Sequence, residues 1–177
     1  MRVVGGELRG RRFSPPKSFN GRPTTDFAKE GLMNILQNKL DFEGLAFLDA
    51  FSGTGAISYE FLSRGTEDIT ALDSSIVHVN FVNKMFREFG ATQARCIKKD
   101  SFNFFMQTDR QYDVIFADPP FDLDRLQDIP DIIFKQQILA EDGLLIVEHS
   151  KENSFTQHPN FIKEKKYGHV RFSFFEH

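Results

Sequence analysis

Leu45-Ala46-Phe47-Leu48-Asp49-Ala50 runs into Phe51-Ser52-Gly53-Thr54-Gly55 and then into Ala56-Ile57-Ser58-Tyr59-Glu60-Phe61-Leu62. The first stretch is short and apolar and meets turn residues, which predicts a buried strand. The last predicts a helix that begins directly after the second glycine. Glycine at 53 and 55 lets the backbone turn sharply and pass close to a ligand where a Cβ would collide. Strand, glycine turn and helix in this order open a β-α-β unit. A dinucleotide fingerprint would place a third glycine at position 58, where Ser58 stands, and no Gly-Lys-Ser/Thr phosphate loop is present.

The alternation continues downstream. Apolar runs at 69–73, 94–98, 112–117 and 143–148 predict further strands, with helices near 56–64, 75–89, 101–107 and 130–140 between them. That order implies α/β architecture with a doubly wound, mostly parallel sheet. Residues 161–167 and 170–176 flank Gly168 and His169 and predict a closing antiparallel hairpin, for seven strands in all. Upstream, Thr24, Thr25 and Asp26 are helix-start residues, and Ala28, Leu32, Ile35, Leu36 and Leu40 follow at helical spacing. The expected organisation is one domain over 1–177. It has a basic arm or hairpin at 1–23, a capping helix at 24–40 and a ligand-binding core at 45–177.

Composition narrows the function. The 177 residues are 40% hydrophobic and 27% charged, which is globular composition. One cysteine, Cys96, excludes an internal disulfide and a thiolate zinc cluster, and the five histidines have no ligand spacing, so no metal is expected. No run of 18 apolar residues and no apolar signal core is present, so the expectation is a cytoplasmic protein with no membrane partner. Twenty-one phenylalanines with no tryptophan make phenylalanine the main core filler. The net charge of −3 conceals an asymmetry: residues 1–30 carry +4 and the rest −7. A basic head on an acidic body fits a local anionic partner, the alternative being a solvated, partly flexible N-terminus.

In doubly wound sheets ligands bind at the carboxyl ends of the strands. The second strand ends in Asp73, 18 residues after Gly55, where a carboxylate can accept from both hydroxyls of a ribose. That pairing does not separate a nicotinamide dinucleotide from S-adenosylmethionine. Asp100 follows the third strand, placed to accept from an adenine amino group or to cap the next helix. The fourth strand runs into Asp118-Pro119-Pro120-Phe121. Two prolines hold the backbone extended and lack amide hydrogens, leaving carbonyls free to accept. An acid and an aromatic on either side give an acceptor beside a stacking surface, as the exocyclic amine of a flipped base requires.

These residues resemble the amino-methyltransferases that use S-adenosyl-L-methionine, and more closely the RsmD family of 16S ribosomal RNA guanine-N2 methyltransferases. The resemblance includes GGELRGRRF at 5–13, RPTTD at 22–26, LDAFSGTGAISYEFLSRG at 48–65, Asp73 with Asn83, DPPF at 118–121, LLIVEHS at 144–150 and YGHVRFSFFE at 167–176. It implies a Rossmann-like class I methyltransferase fold and transfer of a methyl group to the N2 amine of a guanine (966) in 16S ribosomal RNA. It places Gly53, Thr54 and Gly55, with Phe51, under the cofactor, and Asp49 near the methionyl amine. Asp73 and Ser74 then hold the ribose, Asp100 and Ser101 the adenine, and Thr24 and Thr25 close over the methionyl end. Asp118, Pro119, Pro120 and Phe121 form the catalytic set, and Arg2, Arg9, Arg11, Arg12 and Arg22 the RNA contact. The implied partner is 16S ribosomal RNA within a small-subunit assembly particle, bound by a monomer. Lys29 and Met33 stand where the family more often has Arg and Phe, a departure expected to touch substrate affinity. The alternatives are an amino-methyltransferase for adenine or cytosine in DNA or RNA, a nicotinamide-dependent oxidoreductase, and a non-catalytic RNA-binding assembly factor.

Overall fold

Seven strands form one sheet in the order β3-β2-β1-β4-β5-β7-β6. The computed structural model describes residues 1–17, 19 and 24–177; Arg22 of the expected RNA contact lies outside them. Strands β1 (Ala46–Asp49), β2 (Asp68–Asp73), β3 (Arg95–Lys98), β4 (Tyr112–Ala117) and β5 (Leu139–His149) are mutually parallel, whereas β7 (Val170–Phe175) runs antiparallel between β5 and β6 (Phe161–Tyr167). The doubly wound sheet and closing hairpin are therefore as expected, and the order, which periodicity could not set, reverses direction between β1 and β4. A crevice opens at the carboxyl ends of strands at such a reversal.

The apolar strands bury both faces. On one side Phe47, Ile69, Ala71, Val114, Phe116 and Ile146 pack against α1 (Asp26–Gln37), α2 (Ala56–Leu62) and α3 (Ile76–Glu88). On the other, Leu48, Leu72, Ile115 and Leu145 meet α4 (Ser101–Phe105) and α5 (Ile129–Lys135). Phenylalanine fills much of both layers; Phe47 and Phe61 stack at 3.7 Å between centroids.

Two expected spans shift. The first helix ends at Gln37 rather than continuing to 40, and the helix expected over 130–140 stops at Lys135. Gln137 takes a left-handed conformation (φ 54), reversing the chain, and Ile138 and Leu139 lead into β5. Those apolar residues fit either a buried helix or a buried strand, and the turn decided between them.

The N-terminal arm is a short antiparallel ribbon with one bridge, Arg2 to Arg12. Its turn is fixed to the end of α2: the Glu7 amide donates to the Ser63 carbonyl at 2.7 Å and the Leu8 amide to Ser63 Oγ at 2.8 Å. Lys29, only 1% exposed, donates to the Arg2 carbonyl and pairs with Glu60, which also accepts from the Val4 amide and pairs with Arg64. Met33 is buried as well. Both lie in the interior, where Lys29 joins the arm and α1 to α2 and Met33 packs in the core.

Candidate functional site

A cavity of about 740 Å³ lies at the carboxyl ends of β1, β2 and β4. Nearly every expected site residue lines it: Thr24, Thr25, Asp49, Phe51, Gly53, Thr54, Asp73, Ser74, Asp100, Ser101 and the whole Asp118–Phe121 run. Gly55 does not. It is the cap of α2 with φ +76, and a Cβ there would come within 2.6 Å of the Tyr59 ring, so glycine is required by backbone handedness and close packing. None of Arg2, Arg9, Arg11 or Arg12 reaches the cavity. Arg2 pairs with Asp26 at 2.8 Å, and Arg11 lies over the Phe89 ring at 5.8 Å.

The turn of the arm packs at the C-terminal ends of α2 and α3. Each of these helices starts at the cleft and runs back towards the amino ends of the strands. The turn of the arm thus lies one length of the seven-residue α2, about 10 Å, from the cleft, whereas its Arg2 strand reaches Asp26, between the cavity residues Thr25 and Phe27.

At the cofactor end, Asp73 is already organised. Its Oδ2 accepts from the Gly53 amide at 3.1 Å and its Oδ1 from the Ser75 amide at 2.7 Å, while His78 Nδ1 lies 3.1 Å from Oδ2. Asn83, quoted with Asp73 as part of the family pattern, works elsewhere: its amide group donates to the Cys96 carbonyl and accepts from the Cys96 amide, both at 2.8 Å, clamping α3 to β3. Asp100 caps α4, accepting from the Asn103 amide at 2.9 Å, at the cavity rim. Ser101 donates to the Ala50 carbonyl and ties α4 to the end of β1.

At the other end, the Pro120 carbonyl accepts from the Leu123 amide at 2.9 Å and is therefore not free, contrary to expectation. The Pro119 carbonyl accepts from no described residue. Phe121 is 42% exposed at the rim, as is Phe27 at 66%.

The sequence reading omitted Glu148, at the end of β5. It is 3% exposed, lines the cavity and accepts from the Thr24 hydroxyl at 3.1 Å. β4 and β5 are in register at Ala117 and Val147, so Asp118 and Glu148 follow side by side. Its signal was one acid closing the apolar run LLIVE, a pattern that also describes an ordinary strand end. Phe19 and the Tyr167–Val170 turn also line the cavity; the turn opens the YGHVRFSFFE motif but was given no site role.

Three carboxyl groups thus share the cavity, Asp49 and Glu148 buried and Asp118 half-buried. Burial pushes Asp49 up to about 7, with a smaller push from the Asp73 charge, although the Ser58 hydroxyl donates to it at 2.6 Å. Burial likewise pushes Glu148 up to about 7, and holds Asp118 well above the carboxylate range with help from the Glu148 and Asp49 charges. Among the described residues none of the three has a basic partner. Unpaired buried acids call for a cationic ligand. S-adenosylmethionine carries an ammonium and a sulfonium, and the cavity volume lies within the usual range for such sites. The residues present fit it.

A cleft with Asp73 and the glycine turn at one end and Asp118–Phe121 at the other suits a methyltransferase using S-adenosylmethionine, and this chain is one. It belongs to the RsmD family: residues 1–176 match the family described as Conserved hypothetical protein 95. It is 29% identical to ribosomal RNA small subunit methyltransferase D of Escherichia coli K12, over 99% of this chain and 89% of that one. The protein of the same name from Haemophilus influenzae is also 29% identical, over 99% and 93%. The solved structure of yhhF from Escherichia coli, 28% identical, superposes with a TM-score of 0.86 over 99% of this chain and 96% of that one. Among the described residues no helix is long and apolar enough to cross a membrane, and no cluster of metal-ligating side chains occurs.

Proposed function

We propose that the protein methylates the exocyclic N2 amine of a guanine in 16S ribosomal RNA, acting as a monomer on a small-subunit assembly particle. The observation that carries this reading is Asp118 facing the cleft beside the unpartnered Pro119 carbonyl and the exposed Phe121 ring, opposite a nucleoside cradle. The two curated relatives, named for ribosomal RNA of the small subunit, support the substrate class.

When bound, S-adenosylmethionine supplies an electrophilic methyl group. Asp73 accepts from the ribose hydroxyls, and Asp49 faces the ammonium. Phe121 stacks on the extruded base. A guanine amine is a weak nucleophile because its lone pair is delocalised into the ring. Asp118 and the Pro119 carbonyl accept its two hydrogens, drawing nitrogen towards tetrahedral geometry and aligning it for attack. Positioning of this kind supplies several kcal/mol, and a fixed acceptor meets the positive charge that develops on nitrogen. The proton lost afterwards passes to the Asp118 carboxylate.

Incubation with tritiated S-adenosylmethionine and small-subunit particles, naked ribosomal RNA or DNA tests the reading, followed by mapping of the labelled base. Label on a guanine N2 of the small-subunit RNA is expected. Label on adenine or cytosine, or none on any substrate, would overturn it in favour of another amino-methyltransferase or a binding factor.

A further inference from the structure

Asp-Pro-Pro-Phe supplies acceptors for an amine, and adenine, cytosine and guanine all carry one. Something else in the cleft must tell them apart. Beside its amine, guanine presents a ring N1–H donor; adenine and cytosine present a ring-nitrogen lone pair at the equivalent position. A flipped base is read on this edge.

The group next to Asp118 is Glu148. Neighbouring strands stand about 4.8 Å apart, so acids at matching positions on β4 and β5 meet adjacent atoms of one base edge. Glu148 Oε2 accepts from the Thr24 hydroxyl, which fixes the carboxyl group and leaves Oε1 without a partner among the described residues. The side chain is buried yet lines the cavity, so its remaining acceptor capacity turns to whatever occupies that space.

We infer that Glu148 is the guanine-selecting residue, accepting the ring N1–H while Asp118 accepts the amine. This rests on the guanine-N2 reading above. Burial pushes Glu148 up to about 7, so above that pH, where it is a carboxylate, it repels the lone pair of adenine or cytosine, and the contact rejects as well as selects. A site built to hydrogen-bond a substrate N–H discriminates strongly against an analogue that lacks it.

The test compares wild type with Glu148→Gln on two RNAs, one with guanine and one with 2-aminopurine at the position that wild type methylates. 2-Aminopurine keeps the amine and replaces N1–H by a lone pair. Wild type is expected to favour guanine in kcat/KM by at least about tenfold, the effect of one charged hydrogen bond. Glu148→Gln, isosteric and able to turn an amide donor towards N1, should lose most of that preference. RNA affinity measured with S-adenosylhomocysteine in place of the methyl donor should show the same change without any turnover. An equal loss on both RNAs, or a preference that survives substitution, would overturn the inference while leaving the guanine reading intact. Failure of wild type to methylate guanine at all would overturn both.

Discussion

The backbone amide of Gly53 donates to Asp73 Oδ2 at 3.1 Å, locking the loop that ends β1 to the acid that ends β2. The two residues that mark a nucleoside site in the sequence are thus one unit in space. With the Ser75 amide on its other oxygen, Asp73 is aimed before any ligand arrives. Such preorganisation reduces the ordering cost of binding.

Asp73→Ala should therefore weaken S-adenosylmethionine binding by about 1–3 kcal/mol, the range for losing charged hydrogen bonds. The fold should persist, because Asp73 lies at a strand end. Calorimetric titration decides: an unchanged affinity removes Asp73 from the ribose.

Asp118 and Glu148 repel each other in a buried space, which makes function and stability oppose one another. Asp118→Ala should cut turnover more than about tenfold while leaving cofactor affinity nearly intact. It should also raise the melting temperature above neutral pH, since a buried like charge is gone. Parallel losses of affinity and rate would assign Asp118 a structural role. Phe121→Leu, at the rim, should impair base placement by about 1–3 kcal/mol with no change in melting.

The raised carboxyls also set a pH dependence. Asp49 and Glu148, both pushed up to about 7, keep their protons in the folded state where the unfolded chain has released them. Stability of the free protein should fall as pH rises from about 4 to about 7, then level off. Cofactor binding, which brings cations to the same acids, should strengthen over that interval. Thermal melts with and without S-adenosylmethionine across the range should show a ligand shift that grows with pH, and Asp49→Asn should flatten it.

Much of this was legible in the chain. The strand-end acids and the glycine turn obey local rules: a short apolar run, a break, then a polar residue where ligands bind. Glu148 was missed because its meaning depends on β5 lying next to β4, a pairing that periodicity does not encode. The seat of the arm is hidden for a related reason. Its arginines were readable as charge, but the anchor, Ser63 at the far end of α2, is set by topology.

Lys29 and Glu60 illustrate a second hidden layer. Their side chains are almost fully buried, and Glu60 also satisfies Arg64 and the Val4 amide. Glu60→Ala would strand the Arg64 guanidinium and the Val4 amide and leave Lys29 with Asp26 and the Arg2 carbonyl, at a cost of about 3 kcal/mol. Denaturant unfolding should show that loss, and hydrogen exchange should show the Val4 amide released. Normal stability would mean the network contributes little.

The arm gives the last prediction, altered by where it sits. Arg9, Arg11 and Arg12 are exposed in a chain that is net acidic beyond residue 30, so phosphate contacts should concentrate where the sign reverses. The turn of the arm lies about one helix length from the cleft, so an RNA contact made there should fall away from the reacting base. Replacing all three by glutamine should raise KM for RNA and flatten the salt dependence of binding by about 0.7 in log–log slope per lost contact on single-stranded RNA. At saturating RNA, kcat should be unchanged, and cofactor affinity should not move, because none of these three arginines lines the cavity. Arg11 differs from its neighbours, since part of its guanidinium is committed to Phe89, and its single substitution should have the smallest effect on the slope. A triple variant that binds and methylates RNA normally across a salt titration would reduce these arginines to solvated surface and leave the RNA-gripping face to be found elsewhere.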